Sequence, residues 1–155
     1  MTVASGRGAA QDGIGLALGT TPPAVTIEDL DGRPVDLGQW VGKKPVLFEF
    51  WATWCPQCEA LFPALERAHA RFADRVDFVV IAVGVNQSPR SIRRHLERHP
   101  MPFTILWDGE GRAVRTFQAP TTSYVVVLDA AGKVVYTGAG AGQDVMAALG
   151  RAVAP

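Results

Sequence analysis

Val46-Leu47-Phe48-Glu49-Phe50-Trp51-Ala52-Thr53-Trp54-Cys55-Pro56-Gln57-Cys58 is the stretch that decides how this chain reads. Val46–Trp51 is apolar except at one position, the pattern of a short, fully buried strand. The exception is Glu49, so a carboxylate must face the core or the layer beneath whatever follows the strand. From Pro56 the pattern turns helical, with Leu61, Leu65, Ala68 and Phe72 recurring on one helix face. Pro56 stands where a first-turn proline is tolerated. Pro63 falls inside the helix, lacks an N–H and crowds the carbonyl of Glu59, which predicts a kink. Cys55 and Cys58, the only cysteines in the chain, therefore sit at a strand-to-helix junction.

Upstream, Met1–Thr21 is rich in Gly, Ala, Ser and Thr and reads as a mobile leader, closed by Pro22-Pro23. Residues 22–155 are the expected domain. Ala24–Glu28 and Pro34–Leu37 flank the turn Asp29-Leu30-Asp31-Gly32, a hairpin signature. Downstream, Val76–Val83 is a second buried strand. Ser88-Pro89 is a cap and first-turn proline opening a helix through Arg98, with Ile92, Leu96 and His99 on its inner side. Arg90, Arg93, Arg94 and Arg98 make its outer side, a solvated face or a dock for an acidic partner. Phe103–Trp107 is a third strand and Arg112–Phe117 a short helix. Ser123–Leu128 and Val134–Thr137 form a terminal hairpin, and Gln143–Val153 is a closing helix. The order predicts an α/β fold: a mixed central sheet with a right-handed parallel crossover, helices on both faces, and an N-terminal hairpin extension.

The 155 residues suit one domain, long enough to bury roughly 68–70% of its unfolded surface without a staple. Fifteen basic and fifteen acidic residues cancel, so there is no electrostatic footprint for nucleic acid and no polybasic membrane anchor. No apolar run approaches the roughly 18 residues of a spanning helix. The chain fits a cytoplasmic protein or an exported one whose signal or anchor has been removed.

The two thiols admit three readings. As a redox pair, Cys55 lies at the helix N-terminus, where unpaired N–H groups and the dipole favour thiolate, and Cys58 lies one turn further in. Cys55 would then attack a disulfide and Cys58 would resolve the mixed disulfide. No bound cofactor is needed, since the electrons reside on the two sulfurs. As a metal clip for copper or zinc, the pair lacks two of four ligands and would need His69, His95 or His99. As a structural staple it is superfluous in a chain this long. A Cys-x-x-Cys at such a junction reads as a redox motif. Peroxide reduction is disfavoured, because no Pro-x-x-x-Thr-x-x-Cys precedes the pair.

Phe50–Cys58 resembles the active-site segment of the thioredoxin superfamily, and most closely its TlpA/ResA/CcmG branch of exported thiol–disulfide oxidoreductases. Gly19 and Pro23 with Asp29–Gly32, Phe62-Pro63-Ala64-Leu65, and Pro120-Thr121-Thr122 extend the resemblance over roughly residues 19–155. It implies a thioredoxin fold and an extracytoplasmic monomer. Its partners would be protein thiols or disulfides and an upstream electron donor, with reduction favoured over oxidation. It also implies a cis peptide at Ala119-Pro120, with Ala119, Pro120 and Thr121 contacting substrate beside Trp54 and Pro56. Glu49, six residues before Cys55, matches the buried Asp of thioredoxins, which implies a proton relay for Cys58. Relatives in the branch often place a Glu three residues after the second cysteine, where this chain has Leu61, so its acid comes from the strand.

Overall fold

The computed structural model describes residues 14–154. Seven strands are β1 (Thr26–Asp29), β2 (Pro34–Asp36), β3 (Val46–Trp51), β4 (Asp77–Val83), β5 (Thr104–Asp108), β6 (Val125–Leu128) and β7 (Val134–Gly138). Four α-helices are α1 (Pro56–Phe72), α2 (Pro89–Arg98), α3 (Arg112–Thr116) and α4 (Val145–Val153). A short 3-10 turn, Leu37–Trp40, occupies part of the loop after β2. The strands form one mixed sheet in the order β2-β1-β5-β4-β3-β6-β7. β3 pairs parallel with β4 and antiparallel with β6, and β4 pairs parallel with β5. β1 and β2 add the N-terminal hairpin at one edge, with β1 antiparallel to β5. This is the expected mixed sheet, including the parallel crossover and the closing antiparallel hairpin.

β3 is covered on both faces, which is why all six of its residues are buried. Alternation sends Phe48 and Phe50 one way, and Leu47, Glu49 and Trp51 the other. On the first face, Phe117 at the end of α3 packs 5.2 Å from the Phe48 ring and 5.6 Å from Phe50, and Tyr124 lies 5.7 Å from Phe50. On the second face lie α1 and the last turn of α2, whose His95 meets Trp51 edge-on at 5.6 Å. α4 lies along α1 and against β6 and β7. α1 runs unbroken through Pro63 and buries Cys58, Leu61, Leu65, Ala68 and Phe72.

Ser88 caps α2 as its sequence indicates. Its hydroxyl accepts from the Ser91 N–H at 3.2 Å, and the Ser91 hydroxyl accepts from the Ser88 N–H at 2.9 Å. The inner side of α2 differs in one residue from expectation. Ile92 is buried and Leu96 half-buried, but the histidine turned inward is His95, while His99 is exposed.

Two further differences concern the chain's connections. Ile14–Thr21, read from sequence as part of a mobile leader, lie on the domain. Leu16 is buried and its N–H donates to Tyr124 Oη at 3.0 Å. Gly19 N–H donates to Val134 O, and Val134 N–H to Thr20 O, each at 2.8 Å. Gly15 is required here, since it has φ +66° and a Cβ would overlap the Tyr124 hydroxyl. The rest of the expected leader, residues 1–13, lies outside the described residues.

The second difference is a correction. No peptide bond among the described residues is cis, so Ala119–Pro120 is trans. Trans is the favoured form of an X–Pro bond by about 0.5–1 kcal/mol, and Pro120 is exposed rather than locked into the core. The chain makes its corner with two left-handed residues instead, Gln118 (φ +52°) and Ser123 (φ +65°). Pairing with β3 begins only at Ser123, whose N–H donates to Phe50 O at 2.7 Å, while Phe50 N–H donates to Tyr124 O at 2.9 Å.

Candidate active site

Cys55 is the N-cap of α1, and Pro56 follows in the first turn, where no intrahelical N–H is lost. The Cys55 sulfur accepts from the Cys58 N–H at 3.1 Å, the place a Ser or Asp oxygen takes in an ordinary cap. A thiolate formed there faces unpaired N–H groups and the positive end of the helix, both of which favour the charged form. Cys55 and Cys58 are joined as a disulfide with their Cα atoms 5.3 Å apart. Cys55 is 5% exposed and Cys58 1%, so the cap sulfur is the more open of the two.

Three side chains, Gln87 from outside the turn and Trp54 and Gln57 within it, tie this turn to other segments. Gln87, just after β4, accepts from Thr53 N–H at 2.9 Å and donates to Val83 O at 2.8 Å. It thereby ties the loop before Cys55 to the end of the neighbouring strand. Trp54 is 45% exposed, yet its indole N–H donates to Val85 O at 2.7 Å, so the ring is fixed beside the disulfide. Gln57, between the cysteines, accepts from Ala141 N–H at 2.8 Å. The loop it holds is braced from behind. Gly140 N–H donates to the Ser123 hydroxyl at 2.9 Å, and the Gln143 amide donates to Ser123 O and Gly140 O at 2.8 and 2.9 Å. Gln87, Ser123 and Gln143 were missed from sequence. Gln87 had one usable signal, as a polar residue in the short link between a buried strand and the helix cap Ser88, where backbone ends need partners.

Glu49 is 2% exposed, and its Oε2 has no hydrogen-bond partner. Burial pushes its carboxyl up to about 8. It lines a cleft of about 340 Å³ together with Cys55, Cys58, Phe62, Leu65 and Phe103. The parity of β3 is what places it there, on the face covered by α1. Leu61, where some relatives carry their acid, is fully buried, and Glu59 lies on the rim of the same cleft. Of the other residues expected at the site, Trp54 and Pro56 lie beside the disulfide and are exposed. Ala119 is half-buried, Pro120 and Thr121 are exposed, and none of these three lines the cleft.

No group of three or more His, Cys, Asp or Glu side chains among the described residues is arranged to hold a metal. His95 on α2 and His99, its C-cap, pack at a tilt with ring centroids 4.7 Å apart, and His69 packs against Phe78 and Phe103. Among the described residues, the carrier reading thus finds no such group to use. No helix among the described residues is long and apolar enough to cross a membrane.

Known proteins place this geometry. The Redoxin family model matches residues 17–149. The chain is 31% identical over 99 residues to the thioredoxin-like protein YneN of Bacillus subtilis, spanning 63% of this chain and 58% of that relative. It is 26% identical over 132 residues to the thiol–disulfide oxidoreductase ResA of Geobacillus thermodenitrificans, covering 84% of this chain and 75% of ResA. Among solved structures it resembles a secreted Mycobacterium tuberculosis disulfide oxidoreductase homologous to Escherichia coli DsbE. The TM-score there is 0.70 at 27% identity, over 82% of this chain and 95% of that one. With its family match spanning most of its length and its sheet, helices and Cys55–Cys58 pair arranged as described, the chain belongs to the Redoxin family, among the thioredoxin-like thiol–disulfide oxidoreductases.

Proposed function

We propose that the chain reduces disulfides of partner proteins, with Cys55 as nucleophile, Cys58 as resolving thiol and Glu49 as proton relay. The observation that carries this reading is the unpartnered, buried Glu49 carboxyl in the cleft beside Cys58. The Cys55 thiolate attacks one sulfur of the substrate. A Cys55–substrate S–S bond forms, the substrate's own S–S bond breaks, and the released thiolate takes a proton from solvent. From the fraction of molecules in which Glu49 is ionised, a fraction that grows as pH approaches about 8, Cys58 then passes its proton to Glu49, directly or through water, and attacks the Cys55 sulfur. The mixed disulfide breaks, Cys55–Cys58 closes, and the second substrate thiolate leaves with the proton that Glu49 returns. Two electrons pass from the pair to the substrate, and a dithiol protein upstream restores them. The likeness to ResA supports reduction as the direction. The secreted M. tuberculosis relative supports placing the reaction outside the cytoplasm.

The division of labour between the sulfurs is tested by trapping. Cys58→Ser should accumulate a covalent adduct with a disulfide peptide through Cys55, visible by mass, whereas Cys55→Ser should accumulate none. Adducts of equal yield in both variants would overturn the assignment. The direction is tested by the Cys55–Cys58 potential against glutathione. A value near −270 mV, the thioredoxin pole, supports reduction, and one near −120 mV would make the chain an oxidant.

A further inference from the structure

Helix α2 turns three different stripes to its surroundings. Ile92 and Leu96 pack toward the core. Arg93 points to the N-terminal hairpin, where it pairs with Asp31. Ser91, Arg94, His95, Arg98 and His99, spaced i, i+3, i+4, i+7 and i+8, form the third stripe. They line a groove of about 390 Å³ with Thr53 and Trp54. The same His95, Arg98 and His99 also line the cleft containing Cys55 and Cys58, so the groove leads directly to the disulfide.

We propose that this groove docks the acidic flank of a polypeptide substrate, giving preference to disulfides with Asp or Glu a few residues from the reacting cysteine. The proposal rests on the oxidoreductase reading and names the substrate chemistry of that same site.

Charge complementarity supplies the occupant. Arg94 and Arg98 make no ion pair among the described residues, whereas Arg93 on the same helix is paired with Asp31. No carboxylate lines the α2 groove. In the adjoining cleft there are two. Glu59 sits on the rim near His95, and Glu49 on the floor is kept protonated at neutral pH by burial. His95 itself is pushed down, first by burial and then by His99 and Arg98, with Glu59 opposing, and the permanent cationic charge of the groove is that of the two guanidiniums. Each offers a planar fork that suits a carboxylate. The chain as a whole has zero formal net charge, so the attraction is local to the groove. The site is also held in place, because His95 packs edge-on against Trp51 of β3 and Trp54 is hydrogen-bonded to Val85. A substrate chain lying in the groove would meet the exposed Trp54 face on its way to Cys55.

The test uses the full chain, reduced and freed of reductant, mixed with three peptides that share one intramolecular disulfide. Their flanking residues are Asp/Glu, Asn/Gln or Lys. The second-order rate of disulfide transfer should be about tenfold higher for the acidic than for the Lys peptide at low salt. The gap should shrink toward unity at high salt. Arg94→Gln with Arg98→Gln should remove the preference, and Arg94→Glu with Arg98→Glu should invert it. Arg90→Gln, outside the groove, should leave all three rates unchanged. Equal rates for the three peptides, or an acidic preference that survives the double charge reversal, would overturn the docking groove and leave the oxidoreductase standing. Failure to transfer electrons to any of the three would instead overturn the reductase reading itself.

Discussion

Glu49 is a carboxyl held neutral in a cleft, and that state has two measurable signatures. In the unfolded chain a Glu titrates near 4.3, while in the fold this one titrates at about 8. The protonated form is thus favoured in the native state. Its contribution to stability is whole below pH 4 and is lost as pH rises toward 8, because the unfolded chain ionises first. Glu49→Gln removes that dependence. The variant should be more stable than wild type by on the order of 3–5 kcal/mol at pH 8, with little difference at pH 4, by denaturant titration. Equal stability gaps at both pH values would contradict a buried, neutral Glu49. The kinetic signature is separate from stability. Resolution by Cys58 should accelerate with pH through about 8 in wild type, as Glu49 becomes able to accept a proton, and Glu49→Gln should flatten that profile. Cys55 alkylation should change little. Overlapping profiles for the two proteins would remove Glu49 from the mechanism.

At the scale of elements, the active-site turn is a strand end and a helix start that need outside help to meet. Gln87 gives much of that help, with one side chain bridging Thr53 and Val83. Gln87→Ala would leave the partly buried Thr53 N–H without a partner, at a cost of about 1–3 kcal/mol. Amide exchange at Thr53 should rise more than at residues in the middle of β3. A uniform rise across the domain would mean that Gln87 supports the fold generally rather than this turn. Elements of this kind were legible in sequence where local chemistry alone sets them. The apolar run Val46–Trp51, the spacing of Leu61 to Phe72, and the Ser88-Pro89 cap each gave the observed element. Gln87 and Ser123 were not legible, because their partners are brought near only by the sheet. Pro120 misled for a related reason. A Pro-Thr-Thr sequence resembles a known corner, but the bend is made by Gln118 and Ser123, neither of a residue type that advertises positive φ.

Across the whole molecule, the N-terminal segment is where composition and structure diverge most. Small residues suggested a mobile leader, yet Gly15 and Leu16 are seated against Tyr124, which also packs on Phe50 of β3. Small size was the requirement of a close approach rather than a mark of freedom. Gly15→Ala should cost about 1–3 kcal/mol, from overlap with the Tyr124 ring together with positive φ. Limited proteolysis should then cleave ahead of Pro22 much faster than in wild type. An unchanged cleavage rate would show that the segment is not held by this contact. The disulfide region and the mixed character of the sheet, by contrast, were legible because one motif fixes a strand, a helix and their junction together.

The dipeptide between the cysteines is where local and distant structure meet. Gln57 carries the hydrogen bond that reaches Ala141, 84 residues along the chain. Exchanging Pro56-Gln57 for another pair to retune the redox couple would therefore also free one anchor of the Gly138–Gly142 loop. In this protein the choice of electron affinity and the anchoring of a distant loop are inherited together, and a graft that changes one must rebuild the other.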